Sequence, residues 1–372
     1  MNHPPFPLAQ GADPRLRASA VRWTVIAFIL LTIALCSAQR WNATHDYQSL
    51  IRAGVLRDLL GQQARGQQAL VSSLRIMPLP TLAALPFTPV LRPSAYDYAY
   101  LYGLALLLAL SVLPLARLIG RPLARQTAAA PLIALAFLLA LAAGLGATAH
   151  TDLLACLACL IIAVSLEAEA QAPLRAVAGV FWGCALLAHL SGLILALGRA
   201  LLLVLGRFVR RSPPEGRAIA WIQLAAIIYM AAVYLFLNWI IMNDPLYPAR
   251  TSYAAPPCDT ATPQLARLAG HFARRYTDAA PVVSGHWGYL LAPFLRRHGG
   301  YHYIDFYPDK LPLWDDRDFV LVQPAPGNPL VGLSDLGPPR TRAPSGLKGC
   351  FLLEETEGWR FYAIGLPAEH PR

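Results

Sequence analysis

Tyr98–Ile119 reads YAYLYGLALLLALSVLPLARLI, twenty-two residues in which the first charge is Arg117. A helix rising about 1.5 Å per residue needs about 20 apolar residues to cross roughly 30 Å of hydrocarbon, and this segment supplies them. The same character recurs on both sides of it. Val25–Cys36 precedes it, and Ala129–Leu145, Leu153–Leu166, Val177–Leu187, Leu193–Leu205 and Ile219–Met242 follow. The expected fold is a polytopic α-helical membrane protein with about seven transmembrane helices. The first, fourth, fifth and sixth runs reach across only with their polar flanks or in a thinned bilayer. Composition agrees: 56% of residues are hydrophobic, 14% are charged and the mean hydropathy is +0.44. A soluble domain carries about 25% charged residues, so much of this surface faces something other than water.

The formal charge of +10 is unevenly placed. Residues 1–242 hold 18 Lys/Arg against 8 Asp/Glu, and residues 243–372 hold 13 of each. The excess belongs to the membrane half, where it reads as orientation signal and lipid-headgroup contact rather than a nucleic-acid surface. Arginines gather in the N-terminal tail, at Arg117, Arg121 and Arg125, at Arg175, and from Arg207 to Arg217. The turns around His150 and His189 have none. Positive-inside logic puts the arginine clusters in the cytoplasm and those two turns outside. Residues 1–20 are then a cytoplasmic tail, and 21–242 the membrane module with an outer loop at 39–97. Residues 243–372 form an extracytoplasmic domain. The loop arginines Arg40, Arg52, Arg57, Arg65, Arg75 and Arg92 run against this orientation, but the rule weakens for loops approaching 60 residues. The first apolar run is more simply a retained anchor than a cleaved signal, because further spans follow it.

Within the outer loop, Tyr47–Leu70 has the pattern of an amphipathic helix lying on the membrane surface. Met77–Leu91 (MPLPTLAALPFTPVL) is apolar but interrupted by four prolines, so it reads as a short dipping or interfacial segment. After Met242, the expected helices are Pro263–Tyr276 and Trp287–Arg297. Strands are expected at Pro281–Ser284, Tyr301–Phe306 and Phe319–Gln323, with a terminal hairpin of Cys350–Glu354 and Trp359–Ile364 around Glu357-Gly358. This alternation describes a small α/β domain. Cys156 and Cys159, inside an apolar run, read as packing residues. Cys258 and Cys350 stand alone in the outer domain, where an oxidising compartment would allow a disulfide between them without the sequence requiring one.

Ionisable residues at membrane depth are functional candidates. Here most fall at predicted outer helix ends: His45 and Asp46, His150 and Asp152, His189, and Asn243-Asp244. Each also has a plain structural use. Asp152 suits an N-cap, Asp244 a turn, and His189 a packed polar position. Asp46 follows the first span so closely that the bilayer fixes its depth. A carboxylate there can take a proton from a hydroxyl nucleophile or hold a divalent cation against a lipid phosphate, with Asp152 a second possible ligand. His45 or His150 can orient it or bind phosphate.

The order of these motifs resembles the GT-C superfamily of membrane glycosyltransferases, in the bacterial branch related to protein O-mannosyltransferases (glycosyltransferase family 39). Four segments carry the resemblance: Thr44-His45-Asp46-Tyr47 after the first span, and His150-Thr151-Asp152-Leu153-Leu154 opening the fourth; then Gly183-Cys184-Ala185-Leu186-Leu187-Ala188-His189-Leu190-Ser191-Gly192, and Asn238-Trp239 through Asp244-Pro245-Leu246-Tyr247 at the exit. The likeness covers about residues 20–250. It departs from the family at His45, where relatives carry a second acidic residue, and at His189, where they carry a basic one. A soluble domain also follows the seventh span directly.

The resemblance implies transfer of a sugar from a polyprenyl-phosphate donor to an unidentified acceptor, at the outer face of a bacterial inner membrane. Asp46 would be the base of an inverting displacement. Arg75 or His150 would hold the leaving phosphate, and His45, Asp152 and His189 would complete the binding site. The alternative is a non-catalytic membrane subunit whose bundle anchors the outer domain to a partner; the outer aromatics from Trp287 to Trp314 suit an interface.

Overall fold

The computed structural model describes residues 14–41, 47–62, 64–74, 76–92, 95–120, 129–146, 151–169, 171–209, 214–248, 261–276, 280–283, 291, 303–304, 319–325 and 351–364. Each of the seven apolar runs is a helix. They are α1 (Pro14–Trp41), then, after three short helices, α5 (Tyr96–Gly120), α6 (Ala129–Gly146), α7 (Asp152–Glu167), α8 (Ala172–Leu186), α9 (Leu190–Val209) and α10 (Pro214–Met242). Three carry stretches long and apolar enough to cross a membrane: Ala18–Ala38, Tyr96–Gly120 and Glu215–Met242. The others are shorter. Helices of 15 and 16 residues, such as α8 and α7, are only about 23 Å long. Leu and Ile side chains remain exposed along α1, α9 and α10, including Ile29, Ile33, Ile194, Leu202, Ile228 and Ile240. Water does not tolerate apolar exposure on that scale, and the helices associate with a membrane.

α1 buries Ala27, Leu31 and Leu35 in the bundle core. Direction can be followed by contacts. Tyr100 near the start of α5 meets Asp152 at the start of α7, and Arg117 near the end of α5 pairs with Glu169 just past the end of α7. α5 and α7 therefore run parallel, with α6 returning between them.

Small residues let the later helices approach. A Cβ on Gly179 of α8 would lie 2.5 Å from the Cα of Gln223, and one on Gly183 would lie 2.5 Å from Cγ of Met230. Both contacts are on α10. Two glycines four apart on one face thus form the close seam between α8 and α10.

The loop between α1 and α5 folds as α2 (Tyr47–Leu60), α3 (Ala64–Val71), α4 (Pro78–Ala84) and a 3-10 turn over Leu85–Val90. The proline-rich segment is short and broken, as expected. Pro78 opens α4 where its missing N–H costs nothing. α2 departs from expectation. Ile51 through Leu56 are all buried, Arg52 included, so the helix is inserted among its neighbours rather than laid on a surface with one wet face.

Beyond Met242, α11 (Ala261–Arg275) and five strands follow: β1 (Ala280–Val283), β2 (Tyr303–Ile304), β3 (Phe319–Pro324), β4 (Phe351–Thr356) and β5 (Trp359–Ile364). The sheet order is β2-β1-β3-β5-β4, with β1 parallel to β2 and β3, and β5 antiparallel to β3 and β4. Glu357 (φ 47°) and Gly358 (φ 83°) close the β4–β5 hairpin with both central residues left-handed, the turn that matches strand twist. α11 buries Leu265, Leu268, Ala269 and Phe272, one helical stripe. Its polar edge is pinned to the sheet. His271 Nε2 lies 2.7 Å from Glu354 Oε1, to which the Tyr276 hydroxyl donates at 3.0 Å. The expected helix at Trp287–Arg297, apart from Leu291, and both Cys258 and Cys350 lie outside the described residues.

Candidate functional site

Arg52 is the largest fully buried side chain among the described residues. An unpaired guanidinium inside an apolar bundle would cost several kcal/mol, so its partners define a site. Its Nε donates to Asp152 Oδ1 at 3.0 Å and its Nη2 to Asp152 Oδ2 at 2.5 Å, a bidentate pair with both side chains at 0% exposure. Nη1 donates to the Met77 carbonyl at 3.0 Å and to the Thr81 hydroxyl. Tyr100 donates its hydroxyl proton to Asp152 Oδ1 at 2.6 Å, so at 2.7 Å it accepts from Thr151. The guanidinium also sits 5.6 Å from the centre of the Tyr100 ring.

Four elements thus meet: α2 through Arg52, α4 and its entry through Met77 and Thr81, α5 through Tyr100, and α7 through Thr151 and Asp152. Burial alone would push the Arg52 proton off. Asp152 opposite, and then Tyr100, outweigh that and hold the group protonated.

This geometry assigns Asp152 a specific job. Capping is not it: Thr151 is the N-cap of α7 and makes no side-chain cap bond, while the Asp152 carboxylate turns to Arg52 and Tyr100. Both of its oxygens are filled, so it neither takes a proton from a substrate nor ligates a cation without displacing the guanidinium. Among the described residues no three His, Cys, Asp or Glu side chains come together as a cation site.

His189 caps α9. Its Nδ1 accepts the Ser191 backbone N–H at 3.1 Å and lies 2.7 Å from the Ser191 hydroxyl. Gly192, in the same turn, packs so tightly that a Cβ would fall 1.9 Å from the Ala185 carbonyl oxygen. Just before this cap, the Leu187 carbonyl accepts the Leu79 N–H at 2.9 Å. The α8–α9 turn therefore sits at the same bundle end as α4 and the Arg52 network. His45, Asp46, Arg75 and His150 lie outside the described residues.

The partners of Asp152 were not singled out by the sequence reading, although one signal was available. Arg52 stands alone within LIRAGVL, and a single arginine inside an apolar helix announces a buried partner. Tyr100, one of fifteen tyrosines, carries no such mark. The same signal was present at Arg199, inside ILALGRALLL. Its Nη2 pairs with Glu167 at 2.8 Å and donates to Gln223 Oε1 at 3.4 Å, while Trp182 donates to Glu167 at 2.9 Å. This second cluster lies toward the other end of the bundle.

Comparison with known proteins finds no matching family model, no matching curated protein and no matching solved structure.

Proposed function

We propose that the protein is a GT-C-like membrane transferase, moving a sugar from a polyprenyl-phosphate donor to an acceptor at the bundle end held by Arg52 and Asp152. In this reading all seven apolar helices span a bacterial inner membrane, the N-terminus is cytoplasmic, and that bundle end and the C-terminal domain face outward. One observation carries the reading: the Arg52–Asp152 pair fixes the helix that follows Asp46 to the bundle. Asp46 is one residue before α2 and six before Arg52. Arg75 is two residues from Met77, and His150 two from Asp152. Two residues of chain reach at most about 7 Å, so Arg75 and His150 are each tethered to a described member of one network, and Asp46 is joined to it through α2.

In the reaction, Asp46 accepts the proton of the acceptor hydroxyl as its oxygen attacks the anomeric carbon. The bond from that carbon to the donor phosphate oxygen breaks, and polyprenyl phosphate leaves with inversion. Arg75 and His150 stabilise the charge on the departing phosphate. Asp152 acts from a distance, by holding α2. No step is assigned to a divalent ion, because the Asp152 oxygens are already taken by Arg52.

A second reading rests on the same pair: a bundle that spends its buried carboxylate on architecture suits a non-catalytic subunit anchoring the C-terminal domain to a partner. Asp46→Asn separates the two. With wild-type expression level, the variant loses sugar transfer, and labelled sugar stays in the lipid-extractable fraction. Unchanged transfer by Asp46→Asn would leave only the scaffold.

A further inference from the structure

Trp221 and Trp239 of α10 are 51% and 59% exposed and eighteen residues apart. That spacing is a whole number of helical turns, so both indoles stand on one face, about 27 Å apart along the axis. The two aromatic belts of a bilayer, with about 30 Å of hydrocarbon between them, are separated by much the same distance. Ile222, Ile228, Tyr229, Leu235 and Phe236 are exposed between the two indoles. Lipid therefore stands at full height against α10, with its outer boundary at Trp239.

The neighbouring helices stop short of that boundary. Gly179 of α8 lies against Gln223 of α10, which sets a shared level. From there α8 has seven residues left, about 10 Å, whereas α10 has sixteen before Trp239, about 24 Å. α9 gives a similar height by a second route. It descends from Leu190 to Arg199, whose Nη2 donates to Gln223 Oε1, and those nine residues put Leu190 about 13 Å above Gln223. Gly192 packs against the Ala185 carbonyl, so α9 begins beside the last turn of α8. The α8–α9 turn thus lies about 10 Å below Trp239, at the height of Ala232 on α10.

Part of this low floor is roofed. The Leu79 N–H of α4 donates to the Leu187 carbonyl, and Tyr234 of α10 donates to the Val71 carbonyl at the end of α3. The α9 side is open: Leu190 is 40% exposed and Ile194 64%. His189 stands on the same floor and is partly exposed. A histidine at that depth is costly in plain hydrocarbon, and ionisable residues there face water or polar groups. Helices too short for their bilayer are matched by thinning of the lipid beside them.

We propose that the outer leaflet is thinned beside α9, with phospholipid headgroups seated on the α8–α9 turn about 10 Å below their level at Trp239. The partner is the bilayer itself, and the surface that shapes it is the turn from Leu187 to Gly192. Lipid-borne phosphate is thereby brought down to the turn that meets α4, and so toward the Arg52–Asp152 network. The inference rests on the spanning arrangement proposed above and not on sugar transfer.

The test places single nitroxide labels on the cysteine-free full chain in vesicles of phosphatidylcholine and phosphatidylglycerol. Depth is read from the contrast between collisions with oxygen and with a water-soluble nickel chelate. Trp239→Cys reports the outer boundary, Ala232→Cys the depth about 10 Å below it, and Leu190→Cys the turn. All three positions are exposed. Leu190 should read level with Trp239, a shift of about 10 Å from Ala232 at the same height on α10. Ile194→Cys, one turn further down α9, should read dry. Ser191→Cys takes the place of Leu190→Cys if thermal unfolding shows that variant to be misfolded. Equal, dry readings at Leu190 and Ala232 overturn the thinning and leave the spanning arrangement intact. Wet readings at both also overturn it, because Trp239 then marks no boundary. Labelling of Leu190→Cys from the cytoplasmic side alone removes the spanning arrangement itself.

Discussion

At the scale of single residues, the Arg52–Asp152 pair is where the physics is sharpest. Both groups are fully buried, both carboxylate oxygens and three guanidinium nitrogens are used, and donor and acceptor come from parts of the chain 100 residues apart. Removing one member strands the other in a low-dielectric interior, at a cost of about 3–5 kcal/mol. Replacing both by apolar residues of similar size costs far less. Arg52→Met alone and Asp152→Leu alone therefore each lower the thermal stability of the purified protein sharply, and the double variant regains most of it. A double variant as unstable as the sum of the singles would show that the pair is not coupled. The pair also accounts for one of the six loop arginines that run against the outer assignment. Arg52 weighs against an outer assignment for its loop only if its charge is free, and here Asp152 cancels it.

At the scale of elements, local pattern carried furthest where it stood alone. The β4–β5 hairpin was legible to within two residues, because Glu357-Gly358 imposes the turn and the alternating apolar residues impose the register. α11 was legible from its apolar stripe. α2 was misread as a surface helix because its charged residues were assumed to face water, and nothing local in a sequence shows that an arginine points into a protein. The close seam of Gly179 and Gly183 with α10 likewise depends on a partner helix some 40 residues away.

The contact between α11 and β4 yields a pH dependence. Burial by itself would raise the Glu354 carboxyl. The hydrogen bonds from His271 and Tyr276 outweigh it and hold the group below its ordinary value of 4.5. A depressed folded-state value stabilises the fold above the unfolded value, and that contribution disappears as pH falls through the folded one. Hydrogen exchange in β4 and α11 should therefore accelerate between about pH 5 and pH 3 beyond its intrinsic trend. In Glu354→Gln the amides of α11 exchange faster at neutral pH and lose most of this acid response. An identical acid response in the variant would remove Glu354 from the account.

At the scale of the whole molecule, the question is how many of the seven helices cross. Length alone admits three of them. If only α1, α5 and α10 crossed, every turn between α5 and α10 would lie on one side of the bilayer, opposite the α2–α4 segment. The proposed seven-span reading requires the turns to alternate instead, and two contacts bear on it. The Leu187 carbonyl at the α8–α9 turn accepts the N–H of Leu79 in α4, whereas Glu169 at the α7–α8 turn pairs with Arg117 at the far end of α5. Those two turns occupy opposite ends of the bundle, which α8 must traverse to connect them. Single-cysteine variants on a cysteine-free background decide the matter with a membrane-impermeant maleimide. Gln67→Cys on α3 and Leu190→Cys at the start of α9, both exposed, should label from the same side of intact cells, and Ala218→Cys near the start of α10 only after permeabilisation. Labelling of Leu190→Cys together with Ala218→Cys, and apart from Gln67→Cys, would reduce the crossings to the three long helices. The bundle end built around Asp152 would then no longer gather residues from a single face of the membrane.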